Sequence, residues 1–197
     1  MSDRESYLSL VYRLGSTPNG VFGAKIHWNN LRWALAKFPE VPRFAGLDRS
    51  AILHTVFPDL RVVDVRRRDR VRQAVSWARM AQDGMRVAPA GRPEPAWPPA
   101  TGAPRYDYDL IAGLEALIAE SEAGWRQLYS ELGLTPRQVV YEELSSPDGY
   151  ERTIRDVLAH LGLEDYAGPI PAPRTPRQSN ELNEAWVAAY LAETRRA

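Results

Sequence analysis

The segment Val62 to Met80, VVDVRRRDRVRQAVSWARM, gathers the residues best suited to chemistry. A short apolar run delivers Arg66, Arg67 and Arg68 to a turn at the start of a helix. Arginine offers a planar fork of donors for bidentate contacts to phosphate, and a helix start adds unpaired backbone N–H groups and a favourable dipole. Both ingredients favour a phosphate group. Composition leaves two other readings open: a solvated basic turn paired with Asp64 and Asp69, and a helix that reads DNA. The DNA reading is the weakest, because the formal net charge is zero and no helix-turn-helix pattern is present.

Lys25 and His27 form a second candidate pair, in VFGAKIHW. An imidazole titrating near neutrality suits a general base, and an ammonium suits developing negative charge. On a strand, residues two apart share a face, so the two side chains would point together. His54 and His160 each stand alone, without a metal-ligand partner at useful spacing, and read as structural. Glu142 and Glu143 resemble paired acid/base carboxylates, but adjacent residues at a strand end point oppositely, which favours capping and surface roles.

The elements that must position these residues follow from periodicity and punctuation. Ser2 to Glu5 has capping-box spacing, and Tyr7, Leu10, Val11 and Leu14 follow at helical intervals, predicting an opening helix that Thr17-Pro-Asn-Gly20 breaks. Val21 to Trp28 reads as a strand, and Leu60 to Val65 (LRVVDV) as a better one, with a helix holding Trp33 and Leu35 between them. From about Asp69 to Gln82 a helix carries Val71, Val75 and Ala78 on one side, so strand, charged turn and helix follow as in parallel α/β units. Residues 87–104 hold six prolines around Trp97 and predict a long loop. Asp107 caps a long helix whose apolar face runs from Leu110 to Leu132 and which stops at Gly133. Gly113 and Gly124 lie inside it, where each costs about 1 kcal/mol against alanine, so both are read as permitting close packing. Arg137 to Tyr141 reads as a third strand, Ser146-Pro147 as a helix start before a stop at Gly162, and Ser179 as the start of a last helix carrying Leu182, Trp186 and Tyr190.

The whole composition sets the frame. The 197 residues, 44% hydrophobic and 25% charged, suit one well-cored domain over residues 1–197. Balanced charge provides no general field for nucleic acid or anionic membrane, so any polyanion site must be local. The absence of cysteine excludes disulfides and thiolate metal sites and fits a reducing, cytoplasmic setting. No apolar run approaches a membrane span of about 18 residues, and the polar opening does not resemble a signal peptide.

Arg68 with Ser76 eight residues on resembles the 3′-phosphate motif of sulfotransferases that use 3′-phosphoadenylyl sulfate (PAPS), most closely the bacterial Stf-zero, or trehalose 2-sulfotransferase, class. The stretches PNGVFGAKIHW from Pro18, RYDYDLIAGLEALIAESEAGWRQLYSELG from Arg105, RQVVYEEL from Arg137 and RQSNELNEAWVAAYLAE from Arg177 are similar to that class in the same order. The resemblance implies an α/β, three-layer, P-loop-like sulfotransferase fold with a parallel sheet. It implies transfer of a sulfuryl group from PAPS to a carbohydrate hydroxyl, with trehalose the best-known acceptor and adenosine 3′,5′-bisphosphate the product. It assigns Arg68, Ser76 and Arg177 to the 3′-phosphate, requires no metal, and implies a homodimer. Because eight residues of ideal helix span about 12 Å, convergence of Arg68 and Ser76 requires the strand-to-helix turn to fold back. Lys25 and His27 resemble the Lys-x-His of cytosolic sulfotransferases, in which lysine steadies the bridging oxygen and histidine deprotonates the acceptor. Trp97 either lines an acceptor sugar or pins the proline loop.

The sequence also departs from the class. Full-length members begin with a strand, a Ser/Gly/Thr-rich loop and a helix that hold the 5′-phosphosulfate, followed by an acidic residue proposed as base. Arg13-Leu-Gly-Ser-Thr17 imitates the loop but leaves a helix, whereas an anion cradle runs from a strand into a helix start. The expectation is therefore a sulfotransferase body missing its first βα unit. The alternative is a noncatalytic chain that binds an adenosine 3′,5′-bisphosphate-like nucleotide.

Overall fold

The computed structural model describes residues 3–83, 103–173 and 181–196. The elements are helices α1 (Asp3–Gly15), α2 (Trp28–Lys37) and α3 (Arg49–Val56), strand β1 (Val63–Arg66), helices α4 (Arg70–Asp83) and α5 (Tyr108–Glu131), strand β2 (Arg137–Val140), and helices α6 (Tyr141–Leu144), α7 (Tyr150–His160) and α8 (Glu181–Thr194). The described residues are mostly helical, with one small parallel sheet. The chain divides into two compact units, Met1–Leu60 with Gly124–Leu134, and Arg61–Ala123 with Thr135–Ala197. Residues 87–102 of the proline-rich segment, including Trp97, lie outside the described residues, as does Arg177.

In the first unit, Leu31, Leu35, Phe44, Ile52, Leu53 and Val56 are buried together with Leu128 from the last turns of α5. Helix α1 turns Leu8 and Tyr12 toward this cluster and leaves Tyr7 and Leu14 exposed, so its packing face differs from the expected one. The predicted strand Val21–Trp28 does not form. Its single bridge joins Phe22 to Ser16 in antiparallel fashion, and the rest of the segment is irregular. A strand requires a ladder partner, and no second strand is present among the described residues of this unit. The segment is anchored instead by the Phe22 ring, whose centroid lies 5.1 Å from that of Tyr12 and 5.9 Å from that of Phe57.

The second unit holds the sheet. Strands β1 and β2 run parallel in the register Val63↔Arg137 to Arg66↔Val140. Behind the charged turn, α4 buries Ala74, Val75 and Ala78 completely, and these pack with Ile111 and Ile118 of α5 and with Trp186, Val187 and Tyr190 of α8. The Asp107 carboxylate accepts the Leu110 N–H at 2.9 Å and so caps α5. At the far end of that helix Gly133 takes φ 62° and the Leu134 N–H bonds back to the Tyr129 carbonyl at 2.9 Å, a left-handed glycine stop. Strand β1 runs Val63–Arg66 rather than from Leu60 to Val65, and two further boundaries move from expectation. Strand β2 ends at Val140 and gives way at once to α6, and α7 begins at Tyr150 because Ser146 shapes the preceding turn, its Oγ accepting the Gly149 N–H at 3.0 Å. In α8 the buried polar residue is Asn183, while Leu182 is largely exposed.

Candidate functional site

Because β1 and β2 are parallel and in register, the residues that follow each strand emerge side by side. One strand releases Arg67-Arg68-Asp69, the other Tyr141-Glu142-Glu143, and the two opposite-signed clusters meet. Arg66 turns back along its own strand, its Nε donating to buried Asp64 at 2.6 Å. Arg67 lies over the Tyr141 ring, 4.3 Å from the centroid, with Nε 3.8 Å from Glu142. Only about a fifth of either arginine side chain is exposed, whereas 63% of Arg68 is, so of the three Arg68 is the one that reaches outward. Its Nη2 pairs with Glu143, and its backbone N–H donates to Glu142 Oε2 at 3.1 Å.

Helix α4 starts just beyond. The Asp69 carboxylate accepts the Arg72 N–H at 2.9 Å, and the Asp69 carbonyl accepts that of Gln73 at 3.1 Å. Such a cap leaves first-turn N–H groups without an intrahelical acceptor, at the positive end of the helix dipole. Arg70 contributes a further guanidinium, paired through Nε with Glu122 at 3.1 Å. Around this start lies an open depression of about 440 Å³ lined by Arg68, Asp69, Arg70, Val71 and Glu115. Glu115 comes from the middle of α5 and accepts a hydrogen bond at 2.8 Å from Tyr190 of α8. The donor is buried and stacks on Tyr108 with ring centroids 5.0 Å apart. Burial, and then the bond to Glu115, push the Tyr190 hydroxyl up to about 12, so it remains protonated and donates.

The expected residues are distributed as follows. Arg68 lines the depression. Ser76 lies on the exposed side of α4, opposite Ala74 and Ala78 and roughly 10 Å along the axis from the cap. Lys25 and His27 belong to the first unit, both exposed and in irregular backbone, so the shared strand face expected for them does not exist. His27 is the N-cap of α2, with its carbonyl accepting the Leu31 N–H at 3.0 Å. Glu142 and Glu143 do not diverge as strand-end residues would. A helical turn carries them, and both bond to Arg68. Arg70 and Glu115 escaped sequence reading, Glu115 because it sits within the apolar periodicity of α5. The signal for Glu142 and Glu143 was two strands each followed by a run of one charge sign.

The described arrangement supplies guanidinium and helix-start donors for a phosphate, with two carboxylates, Asp69 and Glu115, beside them. A family model described as Stf0 sulphotransferase matches residues 1–193. A trehalose 2-sulfotransferase of Mycobacterium tuberculosis is 31% identical over 183 residues, covering 92% of this chain and 65% of that protein. One of Mycolicibacterium smegmatis is 30% identical over 187 residues, covering 94% of this chain and 66% of the relative. The chain thus spans just under two thirds of the length of these relatives. With the match to the family model running over nearly all of its residues, the chain belongs to the Stf0 sulphotransferase family.

Proposed function

We propose that this chain binds the 3′-phosphate side of PAPS and takes part in sulfuryl transfer to a carbohydrate hydroxyl of the trehalose kind, within a three-layer, P-loop-like fold and as a homodimer. The observation that carries the reading is Arg68, placed after a parallel strand at the start of α4 and lining an open depression. The residues present fit the group: a phosphate there meets a guanidinium fork and helix-start N–H donors, the combination that binds phosphate in many unrelated proteins. PAPS, when bound, supplies the sulfuryl group and an adenosine 3′,5′-bisphosphate leaving group. Arg68 holds the 3′-phosphate; the family resemblance makes Ser76 and Arg177 its further candidate ligands, and because Ser76 lies roughly 10 Å along α4 from the cap, its contact requires the phosphate to lie along the helix rather than at its start. Lys25 and His27 are the candidates for charge stabilisation and for receiving the acceptor proton, and their exposure is compatible with a large sugar acceptor.

The test is calorimetric titration with adenosine 3′,5′-bisphosphate. A charge-assisted hydrogen bond contributes about 1.5 to 3 kcal/mol, so Arg68→Ala weakens binding roughly 10- to 100-fold. Equal affinity of parent and variant rejects the assignment of Arg68. A loss near twofold transfers the role to Arg66 or Arg67, against their engagement with Asp64 and Tyr141.

A second reading, nucleotide binding without transfer, is favoured by one observation. Among the described residues β1 reaches its helix through Arg67–Asp69 and β2 runs directly into α6, so neither connection carries a Gly/Ser/Thr-rich anion loop. Labelled PAPS with a panel of sugars separates the readings.

A further inference from the structure

The depression around Arg68 is not purely cationic. Its two lining arginines are accompanied by two carboxylates, and these differ in what they already do. Asp69 is engaged by the Arg72 backbone N–H at 2.9 Å and by the Arg72 side chain at 3.0 Å. Glu115 has one oxygen held by Tyr190, and a carboxylate has about four acceptor positions over its two oxygens, so most of its capacity is left for a ligand. It is also placed with care. Ile111 and Ile118, one turn to either side on α5, are buried in the core, so an apolar residue at 115 would have continued that stripe without the desolvation that a half-buried carboxylate brings. Tyr190 is itself 4% exposed and stacked on Tyr108, and its proton is retained at every ordinary pH, which holds the carboxylate in one orientation.

Such a carboxylate acts against a bare phosphate or pyrophosphate, because it repels a second negative charge at short range. It favours a ligand that brings an O–H or N–H donor next to its phosphate. The depression is open to solvent, with Arg68 and Arg70 at the α4 start and Glu115 from α5 along its lining. We infer that Glu115 is the selectivity residue of this site, accepting a hydrogen bond from a hydroxyl or amine of a nucleoside phosphate, with Tyr190 as the positioning residue that holds it. The inference rests on the reading of the Arg68 depression as the nucleotide site and adds the group that distinguishes a nucleoside phosphate from a simple polyanion.

The experiment measures, on the full chain, binding of adenosine 3′,5′-bisphosphate and of inorganic pyrophosphate to the parent, Glu115→Gln, Tyr190→Phe and Arg68→Ala, with each variant's melting curve as a folding control. Glu115→Gln keeps an acceptor oxygen but loses the charge that strengthens the hydrogen bond, so the bisphosphate weakens about 5- to 10-fold relative to pyrophosphate and the ratio of the two affinities falls by that factor. Tyr190→Phe keeps the ring and its packing and lowers the same ratio by a smaller factor, which a general loss of stability would not do. An unchanged ratio in Glu115→Gln, with both ligands lost in Arg68→Ala, overturns the role of Glu115 and leaves the phosphate site standing. If Arg68→Ala leaves both ligands bound as in the parent, the site itself is rejected and the inference with it.

Discussion

The Arg68 guanidinium is already partnered. Glu143 takes its Nη2 and Glu142 takes its backbone N–H, so a phosphate arriving at this turn competes with two carboxylates while the rest of the guanidinium fork stays open to it. Both partners of the ion pair are well exposed, at 63% and 46%, and exposed pairs contribute only about 0.2 to 1 kcal/mol. Displacement is therefore easy, and removing the competitor has a small, measurable benefit. Glu143→Gln is expected to tighten adenosine 3′,5′-bisphosphate by about 1.4- to fivefold by calorimetry, the conversion of that energy range. A weakening would mean that Glu143 supports the site rather than competing for it. The sequence reading of the arginine turn as a solvated, acid-paired cluster thus describes part of the molecule: Arg72 with Asp69 is such a pair, whereas Arg66 with Asp64 is acid-paired but largely buried. Arg68 differs because its partners come from the other strand's end.

At the scale of elements, α5 connects the two units in sequence and contains both interior glycines. A side-chain carbon at Gly124 would collide with the Trp28 ring, which packs edge-on against Trp125 with centroids 5.4 Å apart. At Gly113 an added carbon meets nothing within 4 Å. The close-packing role expected for both therefore holds for Gly124 and fails for Gly113. The two substitutions should move stability in opposite directions. Gly124→Ala forces overpacking, which costs about 1 to 3 kcal/mol, whereas Gly113→Ala gains about 0.8 to 1 kcal/mol of helix propensity. Urea denaturation of the two variants checks both signs. Destabilisation by Gly113→Ala would show that the glycine answers to something outside the described contacts, such as a bound acceptor.

For the whole molecule the question is whether this chain completes sulfuryl transfer. The leaving 5′-phosphate gains negative charge in the transition state, and loss of one preorganised donor in a comparable site costs about 2.7 to 4 kcal/mol. A Gly/Ser/Thr-rich cradle supplies several such donors, and neither strand-to-helix connection described here contains one. We expect the 197-residue chain to bind adenosine 3′,5′-bisphosphate without measurable turnover of labelled PAPS, and turnover to appear on fusion to a family segment that carries the loop. Turnover by the chain alone, abolished by His27→Ala, would instead make Lys25 and His27 the reacting centre.

Sequence by itself determined the features that close within a few residues. Asp107 bonds to an N–H three residues on, Gly133 and Gly162 take left-handed φ at helix ends, and the spacing of Val75 and Ala78 marks the buried side of α4. Strand β1 was legible because Val62, Val63 and Val65 run directly into the charged turn. The tertiary structure alone decided what depends on a distant partner. VFGAKIHW has strand-like residues but no neighbouring strand to bond with, so Lys25 and His27 lost the shared face that their spacing offered. Glu142 and Glu143 meet Arg68 across 74 and 75 residues, because parallel pairing brings the two strand ends together. Glu115 lines the depression and accepts the Tyr190 hydroxyl only because α4 and α8 pack beside α5. Local hydrogen bonds and periodicity are encoded within a turn of chain, whereas ladder partners and charge partners exist only once the fold has brought them into reach.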